Sequence, residues 1–246
     1  MGELLLYFNT LKYLKPSQTK YQILRRAIHK KKRLYRFEYK ALRKYKLEAR
    51  ELDWDSEYIQ RFSVEELLKN QITLLHEKAE WTPGIWKYPQ FSRLWNFNLQ
   101  YFEYGIALAV QYQKEKNPAY RNKFIEMVDD WIRTVNDGDG WHPYTISLRI
   151  PNWLIAFEIM QEKIPSYIID SIYTRYRWLI RNQERHLLGN HYFENLKTIV
   201  ICSHVFDESK IFDRYIVKLS SELMEQILTD GVHFERSFMY HKIILE

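Results

Sequence analysis

Hydrophobic residues recur every three to four positions in long runs from residue 93 to residue 229, which is the pattern of α-helices that bury one or more faces. The runs come in pairs, separated by short polar or proline-containing connections. The pattern predicts helix pairs at residues 93–136, 144–187 and 190–229, and a further pair that begins at "SFMYHKIILE". The body of the protein is therefore expected to be almost entirely helical.

Equivalent positions in the first helices of successive pairs are separated by roughly 40 to 55 residues, the scale of a helical-hairpin repeat. The expected architecture is a curved or closed stack of helix pairs. The starts of alternate helices gather at one end of such a stack, where unpaired N–H groups and positive dipole ends favour an anion. Pro151 fits this scheme only if its helix begins near Ser147, because a proline in the first turn loses no internal hydrogen bond.

The segment before the helical body, residues 1–92, is less regular and is expected to pack on the body. It contains two predicted helices separated by Pro16, a possible short strand at "ITLLHEKAEW", and a basic block at residues 29–46. Basic residues interleaved with aromatic ones can bind nucleic acid. The spacing of the apolar residues favours instead a helix with one packed face and its Lys and Arg side chains in solvent. Nucleic acid is therefore not the expected partner.

The composition is that of a folded domain with a large core: 246 residues, 46% hydrophobic and 28% charged. Aromatic residues reach 16%, whereas there are only 7 Gly and 7 Pro, which favours helices with short connections and also suits a carbohydrate cleft. The formal net charge of +6 fits an anionic partner such as nucleic acid, a membrane lipid or an acidic polysaccharide. Charge alone does not choose among the three.

The single cysteine, Cys202, excludes an internal disulfide and a cysteine-based zinc site, and its apolar surroundings predict a buried structural thiol. The N-terminal sequence lacks the small-residue cleavage site of a secretory signal. No stretch approaches the roughly 20 apolar residues of a membrane span. A cytoplasmic protein with no membrane partner is the expectation, and a periplasmic or secreted protein stays possible if the N-terminus is wrongly assigned.

Polar side chains that suit saccharide chemistry are concentrated at the predicted helix starts. They include Asn96, Asn98, His142, Tyr144, Arg149, Asn152, Asn190, His191, His233, Glu235, Arg236, Tyr240 and His241. The absence of obvious paired carboxylates argues against the two-carboxylate mechanism of glycosidases. His233 and His241 have no third ligand at a matching spacing, so neither a metal nor another cofactor is expected.

These side chains are better suited to an elimination reaction on a uronic acid. Removal of the C5 proton becomes feasible when donors neutralise the adjacent carboxylate, and Asn190 and His191 can supply such donors. Tyr240, flanked by Arg236 and His241, is a candidate base or acid. Simpler roles remain open: Asn190 can cap its helix, His191 can be a surface residue, and Tyr240 can belong to the core.

Three further residues are candidates for contacts with the substrate: Asn98, Arg149 and Asn152. Each also has a structural interpretation of equal weight. Arg149 can pair with an acidic residue, and the two asparagines can satisfy main-chain groups. Arg236 and His241 are further candidates for substrate contact, beside Tyr240.

Four stretches of the sequence together resemble the N-terminal helical domain of heparinase II/III-like polysaccharide lyases: "LYFNTLKYLKPSQ", "WHPYTISLRIPNW", "LLGNHYFENLK" and "DGVHFERSFMYH". The resemblance covers nearly the whole chain. It implies an all-α fold, an incomplete (α/α) toroid. It also implies an enzyme that cleaves an acidic polysaccharide such as a glycosaminoglycan, an alginate or an exopolysaccharide by β-elimination. It further implies that Asn190 and His191 neutralise the carboxylate and that Tyr240 is the catalytic tyrosine.

Two departures from the family pattern bear on activity. Relatives usually read "DGGHFERSPMYH" where this chain has Val232 and Phe238, a change in the loop that precedes Tyr240. Relatives also continue into a β-sandwich domain that supplies a further catalytic histidine, whereas this sequence ends at Glu246. Two functions are therefore expected as alternatives: a lyase or its helical half, and a non-catalytic saccharide-binding or structural remnant of one.

Overall fold

The computed structural model describes residues 16–28, 60–238 and 241. Within these ranges the protein is predominantly helical, with one small hairpin that precedes the helical body. In chain order the elements are α1 (Pro16–Ile28), α2 (Val64–Leu68), β1 (Gln71–Leu74), β2 (Glu77–Glu80), α3 (Arg93–Tyr101), α4 (Glu103–Glu115), α5 (Pro118–Thr134), α6 (Pro143–Met160), α7 (Ser166–Arg181), α8 (Gly189–Val205) and α9 (Ser209–Gln226). A single 3-10 turn at Gly138–Trp141 leads into α6.

The helices from α4 onward form two layers. Helix α6 packs between α4 and α8 in the inner layer, whereas α5 packs on α4 and on α7 in the outer layer. The inner helices α6 and α8 bury residues around most of their circumference, while the outer α9 buries few side chains. A helix that is apolar all round belongs inside and an amphipathic one outside. The expected all-α, incomplete (α/α) toroid is confirmed.

The first helix of the pair predicted at residues 93–136 is divided in two. Phe102 adopts φ 62°, in the left-handed region, and separates α3 from α4. The last carbonyls of α3 have lost their helical partners and are satisfied from α6: Arg149 Nη1 donates to the carbonyl of Gln100 at 3.1 Å, and Asn152 Nδ2 donates to that of Tyr101 at 2.9 Å. Tertiary donors therefore stabilise a break that hydrophobic periodicity does not reveal.

Helix α6 begins at Pro143, one residue before the predicted start of the second pair. The condition that would place Pro151 in the first turn, a helix that starts near Ser147, is not met, and Pro151 lies inside the helix. Proline has no N–H, which leaves the carbonyl of Ser147 without its helical donor. The hydroxyl of Thr198 on α8 donates to that carbonyl instead. Asn195 Nδ2, also on α8, donates to Ser147 Oγ at 3.0 Å. The carbonyl that the internal proline frees thus forms a polar contact between the two inner helices.

Helix α7 ends at Arg181, six residues before the predicted end of the second pair. Asn182 Nδ2 donates to the carbonyl of Trp178 at 2.8 Å and so caps the last turn. Farther along the loop, the N–H of Glu184 donates to Asn195 Oδ1 at 2.7 Å, a contact with α8. The loop that this early ending creates, residues 182–188, leads directly into the first turn of α8.

Before the helical body, the predicted short strand is a two-stranded antiparallel hairpin. Gln71 pairs with Glu80, and Leu74 pairs with Glu77. The two-residue turn, Leu75 and His76, has positive φ at both positions, as a tight hairpin requires. Helix α1 starts at Pro16, where the sequence predicts a break between two helices, and it contacts loop 182–188: Gln18 Nε2 donates to the carbonyl of Leu187 at 3.3 Å, and Arg185 Nη1 donates to Tyr21 Oη at 2.8 Å. The predicted first helix before Pro16 and the basic block at 29–46 lie outside the described residues.

No helix in the described part of the chain is long and apolar enough to cross a membrane. The single cysteine, Cys202, is fully buried in α8, and burial raises the pKa of its thiol above the usual value. The expectation of a buried structural thiol is confirmed.

Candidate functional site

Asn190 is the second residue of α8 and lies in its first turn. The N-cap position belongs to Leu188, and no side chain caps the helix there. The half-buried side chain of Asn190 makes no hydrogen bond to the residues that the structure describes. The helix-capping role that the sequence left open for Asn190 is therefore not the role that the geometry gives it. Its amide is available at a helix N-terminus, where the dipole favours an anion.

His191, the next residue, is held on two sides. Its Nδ1 lies 3.1 Å from Glu184 Oε1, and its ring stacks on Tyr144 with 4.1 Å between ring centroids and 28° between planes. Tyr144 is in the first turn of α6. The starts of α6 and α8 are thus adjacent, as the helix-pair scheme predicts. The imidazole of His191 is oriented by its neighbours and keeps 31% of its side chain exposed.

Glu184 is the acidic residue that the sequence analysis missed. It lies in loop 182–188 with only 2% of its surface exposed, and Asn195 Nδ2 donates to its Oε2 at 3.3 Å. Burial alone would raise the pKa of this carboxyl, but the hydrogen bond from His191, the neighbouring histidines and the Asn195 amide together hold it below its usual value. Periodicity placed Glu184 inside a helix, whereas the flanking Asn182 and Gly189 could have marked a loop.

His142 completes this arrangement as the N-cap of α6. Its Nδ1 accepts from the N–H of Tyr144 at 3.3 Å, and its Nε2 lies 3.7 Å from Glu184 Oε1. Burial lowers the pKa of His142, although Glu184 acts in the opposite sense. The described residues contain no group of three or more His, Cys, Asp and Glu side chains that could hold a metal ion. We call Asn190, His191, Tyr144, His142 and Glu184 the helix-start cluster.

Aromatic side chains continue from the helix-start cluster toward α3. The ring of Phe97 lies 5.1 Å from that of His142, and Tyr101 meets Tyr144 edge to face at 5.9 Å between centroids. Burial holds the pKa of Tyr101 above its usual value, so its phenol stays neutral. Three helices, α3, α6 and α8, therefore contribute polar and aromatic side chains to one continuous group. Such mixed surfaces suit sugars, whose C–H faces pack on rings while hydroxyls and carboxylates need hydrogen-bonding partners.

Arg149 lies in the interior rather than in this group. It is fully buried, and besides the carbonyl of Gln100 its guanidinium binds the carbonyl of Gly140 at 2.7 Å. It stacks on the indole of Trp131 at 3.8 Å from the ring centroid, and Arg175 approaches the same ring at 4.4 Å. We call Arg149 and Arg175, together with the Trp131 ring that both contact, the buried arginine pair. The sequence analysis offered Arg149 a substrate or an acidic partner, and its actual partners are main-chain carbonyls and an aromatic ring.

The two candidate asparagines also contact main-chain groups. Asn152 donates to the end of α3, as described above, and Asn98 Nδ2 donates to the carbonyl of Leu94 at 2.9 Å within its own helix. Both side chains are half-buried. Of the two roles that the sequence left open for these asparagines, the structure supports the structural one for Asn152 most directly, since its partner belongs to another helix.

The segment after α9 contains the remaining candidates. Arg236 is exposed and forms an ion pair with Asp230, 3.5 Å away. His241 is partly buried, and no hydrogen bond, ion pair or ring contact among the described residues joins it or Arg236 to the helix-start cluster. Tyr240 lies outside the described residues, so its catalytic role stays a prediction.

The family's second glycine in this segment is replaced by Val232, and the structure shows how the valine is accommodated. Gly231 occupies the left-handed region at φ 80°, whereas Val232 does not. The N–H of Leu228 donates to the carbonyl of Val232 at 2.9 Å, and Ile227 pairs with His233. Since the residue at 232 needs no positive φ, this departure introduces no backbone strain.

The family model for the heparinase II/III N-terminus matches residues 9–246. The chain belongs to this family. No curated protein matches it in a sequence search. Among solved structures, a heparinase III with methylated lysines superimposes with a TM-score of 0.62 and 17% identity over 94% of this chain and 42% of its own. The heparan sulfate lyase HepC from Pedobacter heparinus gives a TM-score of 0.60 and 16% identity over 78% of this chain and 33% of its own.

At these identities the structural likeness shows a common fold. The chain spans 33% to 42% of the length of the two lyases to which it is similar. Together with the family match, the likeness makes this chain a polysaccharide-lyase-related helical domain.

Proposed function

We propose that this domain contributes the helical half of a lyase that cleaves a uronate-containing acidic polysaccharide by β-elimination. The observation that carries the proposal is the state of Asn190: an amide in the first turn of α8, with no hydrogen bond to the described residues, beside an imidazole that is already oriented. The names of the similar structures favour a glycosaminoglycan of the heparan sulfate type as the substrate. The net charge of +6 is consistent with a polyanion.

In the proposed reaction, Asn190 and His191 bind the carboxylate of the uronic acid. This carboxylate is attached to C5, the carbon from which the proton is removed. Neutralising that carboxylate stabilises the negative charge that develops when the C5 proton leaves. The electron pair of the C5–H bond then forms the C4–C5 double bond, and the C4–O bond to the next sugar breaks. The departing oxygen takes a proton, so the products are an unsaturated uronate and a new hydroxyl end.

Tyr240 is the proposed base or acid of this reaction. Its support is the stretch "HFERSFMYH", which resembles the family motif, and the prediction from the sequence that a further helix pair begins there. A tyrosine with an ordinary pKa near 10 needs neighbouring cations to act as a base at neutral pH, and Arg236 and His241 adjoin it in sequence. The rival function, saccharide binding without catalysis, needs Asn190 and His191 but not Tyr240.

The test is to incubate the chain separately with heparan sulfate, hyaluronan and alginate. Absorbance of the unsaturated product reports cleavage, and calorimetry reports binding. We expect Asn190→Ala to reduce turnover by about a hundredfold or more, the usual loss for a transition-state donor, or to reduce affinity where turnover is absent. Asn122→Ala, at an exposed position on α5, is the matched control and should change neither quantity.

Tyr240→Phe separates the two functions. A lyase loses turnover and keeps its affinity, whereas a binding module keeps its affinity and has no turnover to lose. If none of the three polysaccharides binds or is cleaved, the proposed function is wrong for this chain.

A further inference from the structure

We infer that Glu184 is a positioning residue that fixes the tautomer of His191 and thereby decides which ring nitrogen His191 presents at the helix-start cluster. The meaning of this arrangement for catalysis rests on the function proposed above. The arrangement itself is a property of the ligand-free chain, so it can be tested without any substrate.

The ionisation state of Glu184 decides which ring nitrogen of His191 carries a proton. An ionised carboxylate is only an acceptor, so a ring nitrogen that hydrogen-bonds to it must carry the proton. Glu184 is ionised at neutral pH, since its pKa lies below its usual value despite burial. The 3.1 Å contact from His191 Nδ1 is therefore an Nδ1–H donor, and the neutral ring has its lone pair on Nε2.

The other ring nitrogen of His191 is Nε2. His191 Nε2 has no hydrogen-bond partner among the described residues, and the stack on Tyr144 prevents the ring from turning over freely. Nε2 is thus the atom offered to a bound sugar. It accepts from a hydroxyl when the ring is neutral and donates to a carboxylate when the ring is doubly protonated.

His142 is fixed in the opposite tautomer. Its Nδ1 accepts from the N–H of Tyr144, so its proton is on Nε2, the nitrogen that lies 3.7 Å from the same Glu184 oxygen. One buried carboxylate oxygen therefore faces the N–H groups of two histidines from two inner helices. Asn195 holds the other carboxylate oxygen and, through its own Oδ1, the main chain of Glu184. The carboxylate is fixed from both sides and can fix the histidines in turn.

A merely structural glutamate would link loop 182–188 to α8 without selecting a tautomer. Nitrogen NMR of the ¹⁵N-histidine-labelled chain at alkaline pH distinguishes the two possibilities, because protonated and unprotonated ring nitrogens have well-separated shifts. We expect a protonated Nδ1 and an unprotonated Nε2 at His191, with the signals identified by their loss in His191→Gln. In Glu184→Gln, whose amide can either accept or donate, and in Glu184→Ala, which has no acceptor, a mixture of tautomers should replace the single form.

The exposed Glu80 on β2 supplies the control: Glu80→Gln should leave the His191 signals unchanged. An unprotonated Nδ1 at His191 in the unmodified chain overturns the inference without recourse to any variant. A single Nδ1–H form that persists in Glu184→Gln and Glu184→Ala overturns it as well. If the alanine variant does not fold, the unmodified chain and Glu184→Gln still decide.

The link to function has a separate readout. Where heparan sulfate binds, Glu184→Gln should weaken binding by about tenfold to a hundredfold, the range for one hydrogen bond to a charged group. Binding is compared under conditions in which both proteins are fully folded, because the variant also loses the stability that the ionised carboxylate contributes at neutral pH. If the tautomer result holds and no acidic polysaccharide binds the unmodified chain, the proposed function fails and the role of Glu184 stands. If heparan sulfate binds equally well to Glu184→Gln with a mixed tautomer, Glu184 does not act through His191 on the substrate.

Discussion

The buried arginine pair and the helix-start cluster contain the same kinds of side chain: nitrogen-rich groups stacked on aromatic rings. At the centre, Arg149 and Arg175 flank Trp131 and are at most 5% exposed. At the end of the inner layer, His191 stacks on Tyr144 and is 31% exposed. The two regions differ in what their polar atoms contact. The main donors of Arg149 are bound to main-chain carbonyls, whereas the amide of Asn190 and Nε2 of His191 have no partner among the described residues.

The comparison teaches that residue type and helix position do not by themselves identify a binding residue. Arg149 and His191 both belong to inner helices and both were candidates from the sequence. Arg149 is required because α3 ends at Tyr101, which leaves the carbonyl of Gln100, 49 residues before Arg149, in need of a donor. The side chain of Asn190, at the start of α8, donates to no main-chain carbonyl of the described residues.

Arg149→Met should cost about 3 kcal/mol of unfolding free energy. The substitution keeps an apolar side chain against Trp131 but leaves the carbonyls of Gln100 and Gly140 buried without donors. Urea unfolding followed by circular dichroism measures the loss. Arg133→Met, at a position where 67% of the side chain is exposed, is the control and should cost less than about 0.5 kcal/mol. If Arg149→Met keeps its stability and binds the polysaccharide more weakly, Arg149 contacts the substrate and its structural role is wrong.

Thr198→Val should cost about 2 kcal/mol, because it preserves the shape of the side chain and removes the donor to the carbonyl of Ser147. That carbonyl lost its helical donor to Pro151 and is buried between α6 and α8. Urea unfolding again gives the value. Thr134→Val on α5 is the control: its hydroxyl also donates to a carbonyl, that of Asp130, but at an exposed position where water can replace it. Equal losses in the two variants would contradict the role given to Pro151.

The sequence predicted the helical body, the pairing of helices and the proximity of the starts of α6 and α8, because these depend on local periodicity and repeat length. It did not predict the break at Phe102 or the internal Pro151. Both are stabilised by donors from distant helices, Arg149 and Asn152 in one case and Thr198 in the other, and a local pattern does not report them. Glu184 was missed for the same reason: its loop is defined by Asn195, which follows it in the next helix.

The helix-start cluster, unlike the buried arginine pair, should make stability sensitive to acid. The pKa of Glu184 is lowered in the folded protein, so its contribution is complete above its usual value of 4.5 and is lost as the pH falls through the lower folded-state pKa. The pKa of His142 is also lowered, mainly by burial, so its contribution is complete above 6.5 and is likewise lost on acidification. Urea midpoints between pH 7 and the acid limit should therefore fall in two stages.

Two variants show which group causes each stage of the decline in the urea midpoint. Glu184→Gln should flatten the decline below pH 4.5, and His142→Gln should flatten the part that begins near pH 6.5, relative to the unmodified chain. Because other carboxylates also titrate in acid, the informative quantity is the difference between each variant and the unmodified chain. Curves that run parallel over the whole range would show that these groups do not couple folding to pH.

The smallest expected effect separates a helix cap from a binding residue. Asn190 is the second residue of α8 and its side chain caps nothing, so Asn190→Ala should change the unfolding free energy by less than about 0.5 kcal/mol. Asn117 is a true N-cap, since its Oδ1 accepts from the N–H of Ala119 at 3.0 Å, and Asn117→Ala should cost about 1 kcal/mol. Thermal and urea unfolding of the two variants side by side make the comparison. If Asn190→Ala is as destabilising as Asn117→Ala, then Asn190 serves the helix, and a loss of turnover or affinity in that variant no longer identifies a carboxylate-binding amide. If Asn190→Ala is stable and impaired while Asn117→Ala is weakened and functional, the two asparagines have opposite roles, and the open end of α8 is where the substrate binds.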